Sequence, residues 1–392
     1  MSKSRRSSRR GTLFVIGGIL LLCAVMSVLS SAANRRLAAL PVAQSDLTAL
    51  DMSRWQEAVH LRQVYGSSVW PGWADADIPL ILYNEEYAFL LGLPQPEAGW
   101  TTVPGNRPQG ARWEPVSDLA TGSELYRQRL TGDEKPQAFA MFVGDRWVAG
   151  MTTKDALVQG FARGALESLP SAVRPLVPAA WLAALVLDSD QYIAAISHEA
   201  FHAFQGLSAP ERLWAAESAG AERAATYPWE DDQTIARWQE ELTLLREALE
   251  AEDGNEMTAL ARQFIEHRQN RRVSLTPDLV EYEQEREWAE GLARYAELEI
   301  WRLPSLDAGY QPVTGMADDP AFHAYRGFDA RWDRELPQMA RMANDEGDGR
   351  FYYSGMAQAY LLDRLSPGWK QSAFRPGAYL DDLLAAAIAQ SP

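Results

Sequence analysis

The stretch SHEAFHAFQ, residues 197–205, constrains the chain most, because it places three polar side chains in the middle of an otherwise apolar helix. Residues four apart share one face of an α-helix, so His198 and His202 lie on the same side, with Glu199 beside them. Buried polar groups cost free energy unless they find partners. One metal ion bound by both imidazoles would satisfy them. A core helix with two hydrogen-bonded histidines is the alternative.

The H-E-x-x-H pattern of this helix predicts a site for one zinc ion. In that hypothesis His198 and His202 are metal ligands, and Glu199 is the general base that takes a proton from zinc-activated water. A catalytic zinc normally has three protein ligands. No third histidine follows at short spacing, so we expect a carboxylate, and the candidates are Glu290 and Glu222.

The segment WAEGLARYAE, residues 288–297, resembles the glutamate helix of gluzincin zinc metallopeptidases in its E-G-x-A-x-Y form. The resemblance implies that Glu290 is the third ligand, that the substrate is a peptide or protein, and that Gly291 and Ala293 allow close packing on the His198–His202 helix. Glu222 is the competitor, because it follows His202 by 20 residues, a separation close to that of thermolysin-like enzymes.

Two features of the sequence oppose the assignment of Glu290. First, 88 residues separate it from His202, so a charged antiparallel helical hairpin at residues 230–272 is predicted as an insertion between the two motifs. Second, charged residues recur at helical spacing around it, which is typical of a solvated face. A helical scaffold or binding protein, tethered to a membrane and with a structural or vestigial metal site, is therefore the alternative function.

The oxyanion that forms during peptide hydrolysis needs a hydrogen-bond donor besides the metal. The candidates in the sequence are Tyr352, Tyr353, Tyr295 and His323. We assign the catalytic role to Tyr353.

The N-terminus combines basic residues with an apolar run. Residues 1–36 carry seven lysines and arginines and no acid, so the rest of the chain carries a net charge of −23. A body this acidic repels phosphates, and we expect no nucleic-acid partner. Residues 12–33 are uncharged and long enough to span a bilayer. They predict a single-pass signal-anchor in the cell membrane, with the basic segment 1–11 cytoplasmic and the body extracytoplasmic. Secretion after signal cleavage is the alternative.

The remaining sequence predicts an α+β fold that is mainly helical. A segment at residues 34–69 leads to a loop-rich β region at 70–153, and residues 154–392 form the helical zinc-peptidase region. Apolar runs on both sides of Gly144-Asp145 predict a hairpin at residues 137–153. The gluzincin resemblance implies that this hairpin supplies the edge strand beside the substrate cleft.

Overall fold

The strands in the described part of the chain form one mixed sheet between residues 80 and 152. The computed structural model describes residues 25–35, 39–116, 125–131, 135–180, 183 and 187–391. The strands are β1 (Leu80–Tyr83), β2 (Tyr87–Leu91), β3 (Thr101–Thr102), β4 (Glu114–Val116), β5 (Leu125–Arg129), β6 (Ala140–Val143) and β7 (Arg146–Thr152). Their order in the sheet is β3-β6-β7-β1-β2-β5-β4. β1 and β7 are parallel, and the other neighbouring strands are antiparallel.

The predicted hairpin is present as β6 and β7. Val143 pairs with Arg146 across the Gly144-Asp145 turn, where Gly144 has a φ of 60°, a conformation that favours glycine. Its predicted place at the sheet edge is wrong. β7 lies between β6 and β1, and β6 pairs with β3 at Met141 and Phe142, so the edge strands are β3 and β4.

The two faces of the sheet are both buried. Leu80, Leu82 and Phe89 join the main core under the helices, whereas alternate residues such as Ile81 and Leu90 enter a second cluster with Trp100 and Trp113. The tryptophans of the loop-rich region are therefore core residues of the fold.

The helices lie mostly after the sheet. They are α1 (Ala49–Val69), α2 (Lys154–Glu167), α3 (Ser189–Ser208), α4 (Pro210–Arg223), α5 (Asp232–Glu250), α6 (Gly254–Arg272), α7 (Pro277–Arg286), α8 (Leu292–Leu306), α9 (Phe328–Arg341), α10 (Gly349–Leu365), α11 (Lys370–Ala373) and α12 (Leu380–Gln390). A π-helical turn, Glu287–Gly291, joins α7 to α8. The prediction of a mainly helical α+β fold is confirmed.

The motif helix is α3, which packs against β7, α1 and α8. It continues to Ser208. Gly206 lies inside the helix, where a side chain would collide with the ring of Trp147 on β7. The glycine therefore allows close contact between the motif helix and the sheet.

The predicted helical hairpin is confirmed as α5 and α6, and Asp253 caps the second helix through the N–H groups of Asn255 and Glu256. Its charged side chains are not all solvated. Arg268 and Arg271 of α6 are buried and both pair with Glu241 of α5. Arg271 also pairs with Glu283 of α7, so the hairpin is linked to the helix that leads into the turn carrying Glu290.

Among the described residues, no helix is long and apolar enough to cross a membrane. This finding overturns the predicted transmembrane signal-anchor at residues 12–33 and the predicted location in the cell membrane. Residues 12–24 of that segment lie outside the described residues. Residues 25–35 are helical. The Asn34 side chain makes hydrogen bonds with a later part of the chain. Its amide nitrogen donates to the Val177 carbonyl at 3.1 Å, and its amide oxygen accepts from the Ala180 N–H at 3.3 Å.

A pair of glycines brings α10 against the π-helical turn. Gly291 was expected to face the motif helix, but a side chain there would collide with the backbone of Gly355 on α10. At Gly355 an added Cβ would lie 2.5 Å from the Glu287 carbonyl oxygen and 2.8 Å from the Gly291 Cα. The turn that carries Glu290 is thus fixed by a backbone contact with α10.

We expect Gly355→Ala to destabilise the protein by roughly 1–3 kcal/mol, because the new methyl group meets backbone atoms that cannot rotate away. Gly160→Ala in α2 is the matched control. No atom lies within 4 Å of its added Cβ, so helix propensity should make it neutral or stabilising by up to about 1 kcal/mol. Denaturant unfolding measures both. Equal effects of the two substitutions would contradict the close packing.

Candidate metal centre

The motif helix begins with a capped first turn that fixes its position. The Asp188 carboxylate accepts a hydrogen bond from the Gln191 N–H at 2.7 Å. Two turns later His198 and His202 lie on one face, and both are buried. Phe139 contacts the His202 ring at 4.3 Å between centroids, and the Tyr352 ring stacks on His198 at 5.5 Å.

Glu290 reaches the two histidines from the π-helical turn. Such turns are rare and are found mostly at functional sites. Arg286, one turn earlier, donates to Glu290 Oε1 at 2.7 Å. The other oxygen, Glu290 Oε2, is buried and has no well-aligned hydrogen bond within the described part of the chain.

Three atoms converge at the centre of the site. The Nε2 atoms of His198 and His202 are 3.1 Å apart, and Glu290 Oε2 lies 3.5 Å from the first and 3.3 Å from the second. The structure therefore unites His198, His202 and Glu290 in a buried group that could hold a metal ion.

Each imidazole is held from its other ring nitrogen. His202 Nδ1 lies 2.9 Å from Gln205 Oε1, and the Gln205 amide nitrogen donates to the carbonyls of Trp288 and Ala289. Because that amide group is fixed as a donor, Gln205 Oε1 must accept, so His202 carries its proton on Nδ1 and directs the Nε2 lone pair to the centre.

His198 faces a carboxylate with its other ring nitrogen. Its Nδ1 lies 3.2 Å from Glu297 Oε2, an ion-pair distance without an aligned hydrogen bond, and Arg294 pairs with the other oxygen of Glu297. When His198 carries its proton on Nδ1, towards this carboxylate, two Nε2 lone pairs face each other at 3.1 Å. That tautomer needs a positive charge at the centre, either a proton or a bound cation.

The pKa values follow from burial and from this charge pattern. Burial lowers the pKa of His198, but hydrogen bonds to Glu290 and Glu297 and the charge of Glu199 raise it to about 10. Burial raises the pKa of Glu290, but His202 and Arg286 hold it well below its usual value. The metal-free site thus holds its positive charge as a proton on His198. A metal ion would displace that proton, since ligating imidazoles are neutral.

Glu199 is not a member of the ligand group, but its charge interacts with His198 and Glu290. The residue is half-buried, yet its Oε2 is sealed from solvent and has no hydrogen-bond partner among the described residues. Burial raises the pKa of its carboxyl group to about 8, with His198 lowering it and Glu290 and Glu297 raising it.

Tyrosine 352, not 353, faces the metal centre. Burial, followed by the charge of Glu290 and a hydrogen bond to it, raises the pKa of Tyr352 well above its usual value. The Tyr353 hydroxyl instead donates to Glu335 at 2.7 Å, so the structure places the predicted donor elsewhere.

The remaining sequence candidates also lie away from the metal centre. Tyr295 donates to Asp363 at 2.5 Å, and the backbone N–H of His323 donates to Asp190 at 2.7 Å. Glu222 is exposed on α4 and is not in the ligand group.

Three residues of the site were missed by the sequence reasoning: Arg286, Gln205 and Glu297. Tyr352 was a candidate donor, but the role was assigned to Tyr353. Helical spacing carried a signal for the three missed residues. Gln205 follows His202 by three residues, Arg286 precedes Glu290 by four, and Glu297 follows it by seven, so each shares a face with a ligand. No such spacing distinguishes Tyr352 from Tyr353.

No protein-family model, curated protein or solved structure matches this chain. The assignment of the site therefore depends on its own geometry.

We expect Glu290→Gln to weaken zinc binding by more than about 100-fold, beyond the roughly 10–100-fold effect of residues that only orient a ligand. Glu285→Gln is the matched control, because Glu285 is buried on the same helical segment and pairs with Arg212 instead of an imidazole. Competition with a chromogenic chelator measures both. Loss of binding in Glu222→Ala with tight binding in Glu290→Gln would move the third ligand to Glu222.

Proposed function

We propose that this protein is a zinc-dependent metallopeptidase. The observation that carries the proposal is the convergence of His198, His202 and Glu290 on one point, with the unpartnered acid Glu199 beside it. The peptide nature of the substrate rests on the resemblance of residues 197–205 and 288–297 to gluzincin motifs.

The donor set and its spacing support zinc. Two imidazole nitrogens and one carboxylate oxygen are a common ligand set of catalytic zinc sites. Tetrahedral ligands at bond lengths of about 2.0–2.1 Å lie about 3.3 Å from one another. The three distances here are 3.1, 3.3 and 3.5 Å, so the side chains need little rearrangement to bind the ion.

A zinc ion in this site would supply Lewis acidity and would bring the pKa of a water molecule towards neutrality. Glu199 then accepts the proton of the attacking water and transfers it to the leaving amine. The hydrogen bond between Gln205 and His202 and the ion pair between Glu297 and His198 keep the imidazoles oriented. The Tyr352 hydroxyl, beside Glu290 and His198, donates to the oxyanion of the substrate.

A helical scaffold with a structural or vestigial metal site is the competing function. Structural zinc sites have four protein ligands, whereas catalytic sites have three and keep one position for water. The ligand group in the described part of the chain has three members, and the neighbouring acid has no partner. This difference favours the hydrolase.

We expect Glu199→Gln to abolish peptide hydrolysis while zinc affinity stays within a few-fold of the wild type, because this residue moves a proton and does not bind the ion. Glu211→Gln, an exposed substitution of the same kind on α4, is the control. A panel of quenched fluorescent peptides measures hydrolysis, and chelator competition measures zinc. Near-normal turnover in Glu199→Gln would rule out its role as general base.

We expect Tyr352→Phe to lower kcat by about 10²–10³-fold without affecting zinc binding, because one oxyanion donor is removed. Tyr353→Phe should mainly lower stability, by about 1 kcal/mol, since it removes a hydrogen bond to Glu335. Tyr295→Phe is the control for loss of a hydroxyl elsewhere. A large loss of kcat in Tyr353→Phe alone would restore the sequence-based assignment.

A further inference from the structure

A cavity of about 590 Å³ opens between α9 and the motif helix. Its volume is typical of a ligand-binding site. Arg331, Arg334, Gln338 and Arg341 line it from one face of α9, Gln191 lines it from α3, and Tyr353 from α10. We call it the α9 cavity.

The α9 cavity carries uncompensated positive charge. Arg331 pairs with Glu335, whose carboxylate is also bound by Arg294 at 2.6 Å. Arg334 and Arg341 are exposed, and neither has an ion pair or a hydrogen bond within the described part of the chain. The exposed carboxylate of Asp333 also lines the cavity. Two free arginines against one acid are unusual for a chain with a net charge of −16.

The α9 cavity and the metal centre share the motif helix. Gln191, Ala195 and Glu199 are half-buried and follow one another at four-residue spacing, so they form a line along one face of that helix. The line covers about 12 Å, from the cavity to the predicted general base. On the other side Tyr353 of the cavity is adjacent to Tyr352 of the metal centre.

We propose that the α9 cavity is a substrate subsite that selects acidic peptides. The inference rests on the proposed peptidase function. Guanidinium groups are well suited to binding carboxylates. The arginines of the cavity would therefore attract a substrate carboxylate, although the protein as a whole is acidic. An extended peptide advances about 3.3–3.6 Å per residue, so a path of about 12 Å places the bound carboxylate three to four residues from the cleaved bond. That carboxylate belongs either to a Glu or Asp side chain or to the peptide C-terminus.

The test compares hydrolysis of matched quenched peptides that carry Glu or Gln at each position within five residues of the cleaved bond. Each peptide is made with a free and with an amidated C-terminus, which separates the two sources of the carboxylate. We expect Glu three or four residues away, or a free C-terminus at that distance, to raise kcat/KM by about three- to tenfold. The preference should weaken with added salt, because exposed charges are screened.

The double variant Arg334→Gln/Arg341→Gln should lose this preference while still cleaving the Gln peptides. Arg262→Gln, which replaces an exposed arginine of α6, is the matched control. Retention of the preference in the double variant, or cleavage by the wild type without any preference, would overturn the subsite while leaving the peptidase function in place.

A second readout separates the subsite from the function. Fluorescence anisotropy of labelled Glu and Gln peptides on zinc-loaded Glu199→Gln protein measures binding without turnover. Arginine-dependent binding of the Glu peptide supports the subsite even if the wild type cleaves no peptide, and that result would overturn the peptidase function alone. Equal binding of both peptides would overturn the subsite.

Discussion

The stability of the fold depends on a cationic partner for every buried glutamate of one helical segment, residues 283–299. Six glutamates of this segment are buried: Glu283, Glu285, Glu287, Glu290, Glu297 and Glu299. Each pairs with at least one arginine. Glu290, Glu297 and Glu299 take theirs from an adjacent helical turn and Glu285 takes its from α4, whereas Glu283 and Glu287 depend on α6. Leaving a buried charge without its partner costs about 3–5 kcal/mol, so the segment is stable only when the surrounding helices deliver their arginines.

Glu290 is the exception that gives the segment its chemistry. Its Oε1 is neutralised by Arg286, as in the other pairs, but its Oε2 points to two imidazoles that also need a positive charge between them. The π-helical turn and the contact between Gly291 and Gly355 fix this side chain. Excess negative charge is thereby concentrated at one point of an otherwise neutralised segment, which is the condition for binding a cation in a buried place.

The sequence was informative where periodicity and local chemistry act alone. The motif helix and the α5–α6 hairpin follow from residue spacing and local composition. The preference for Glu290 over Glu222 came from the resemblance of residues 288–297 to a gluzincin motif, against the long separation from His202. Partners distant in sequence could not be predicted in this way. The glutamates resembled a solvated face because Arg268 and Arg271 reach them only through tertiary packing. Tyr352 and Tyr353 point about 100° apart around α10, and nothing in the sequence shows which of them faces the ligand group. The prediction of a membrane anchor was wrong, because no helix among the described residues is long and apolar enough to cross a membrane.

The 87 residues between His202 and Glu290 have a structural reason. They contain α5 and α6, and the arginines of α6 bind Glu283 and Glu287, on either side of the turn that leads to Glu290. Without the hairpin these two glutamates would be buried charges without an ion-pair partner, and the π-helical turn would lose its support on that side. Ser354 of α10 also donates to Glu287, so the same carboxylate links the hairpin to the helix that carries Tyr352. The hairpin is therefore a structural support of the candidate metal centre, because its arginines hold the segment that carries Glu290 and, through Glu287, contact the helix that carries Tyr352.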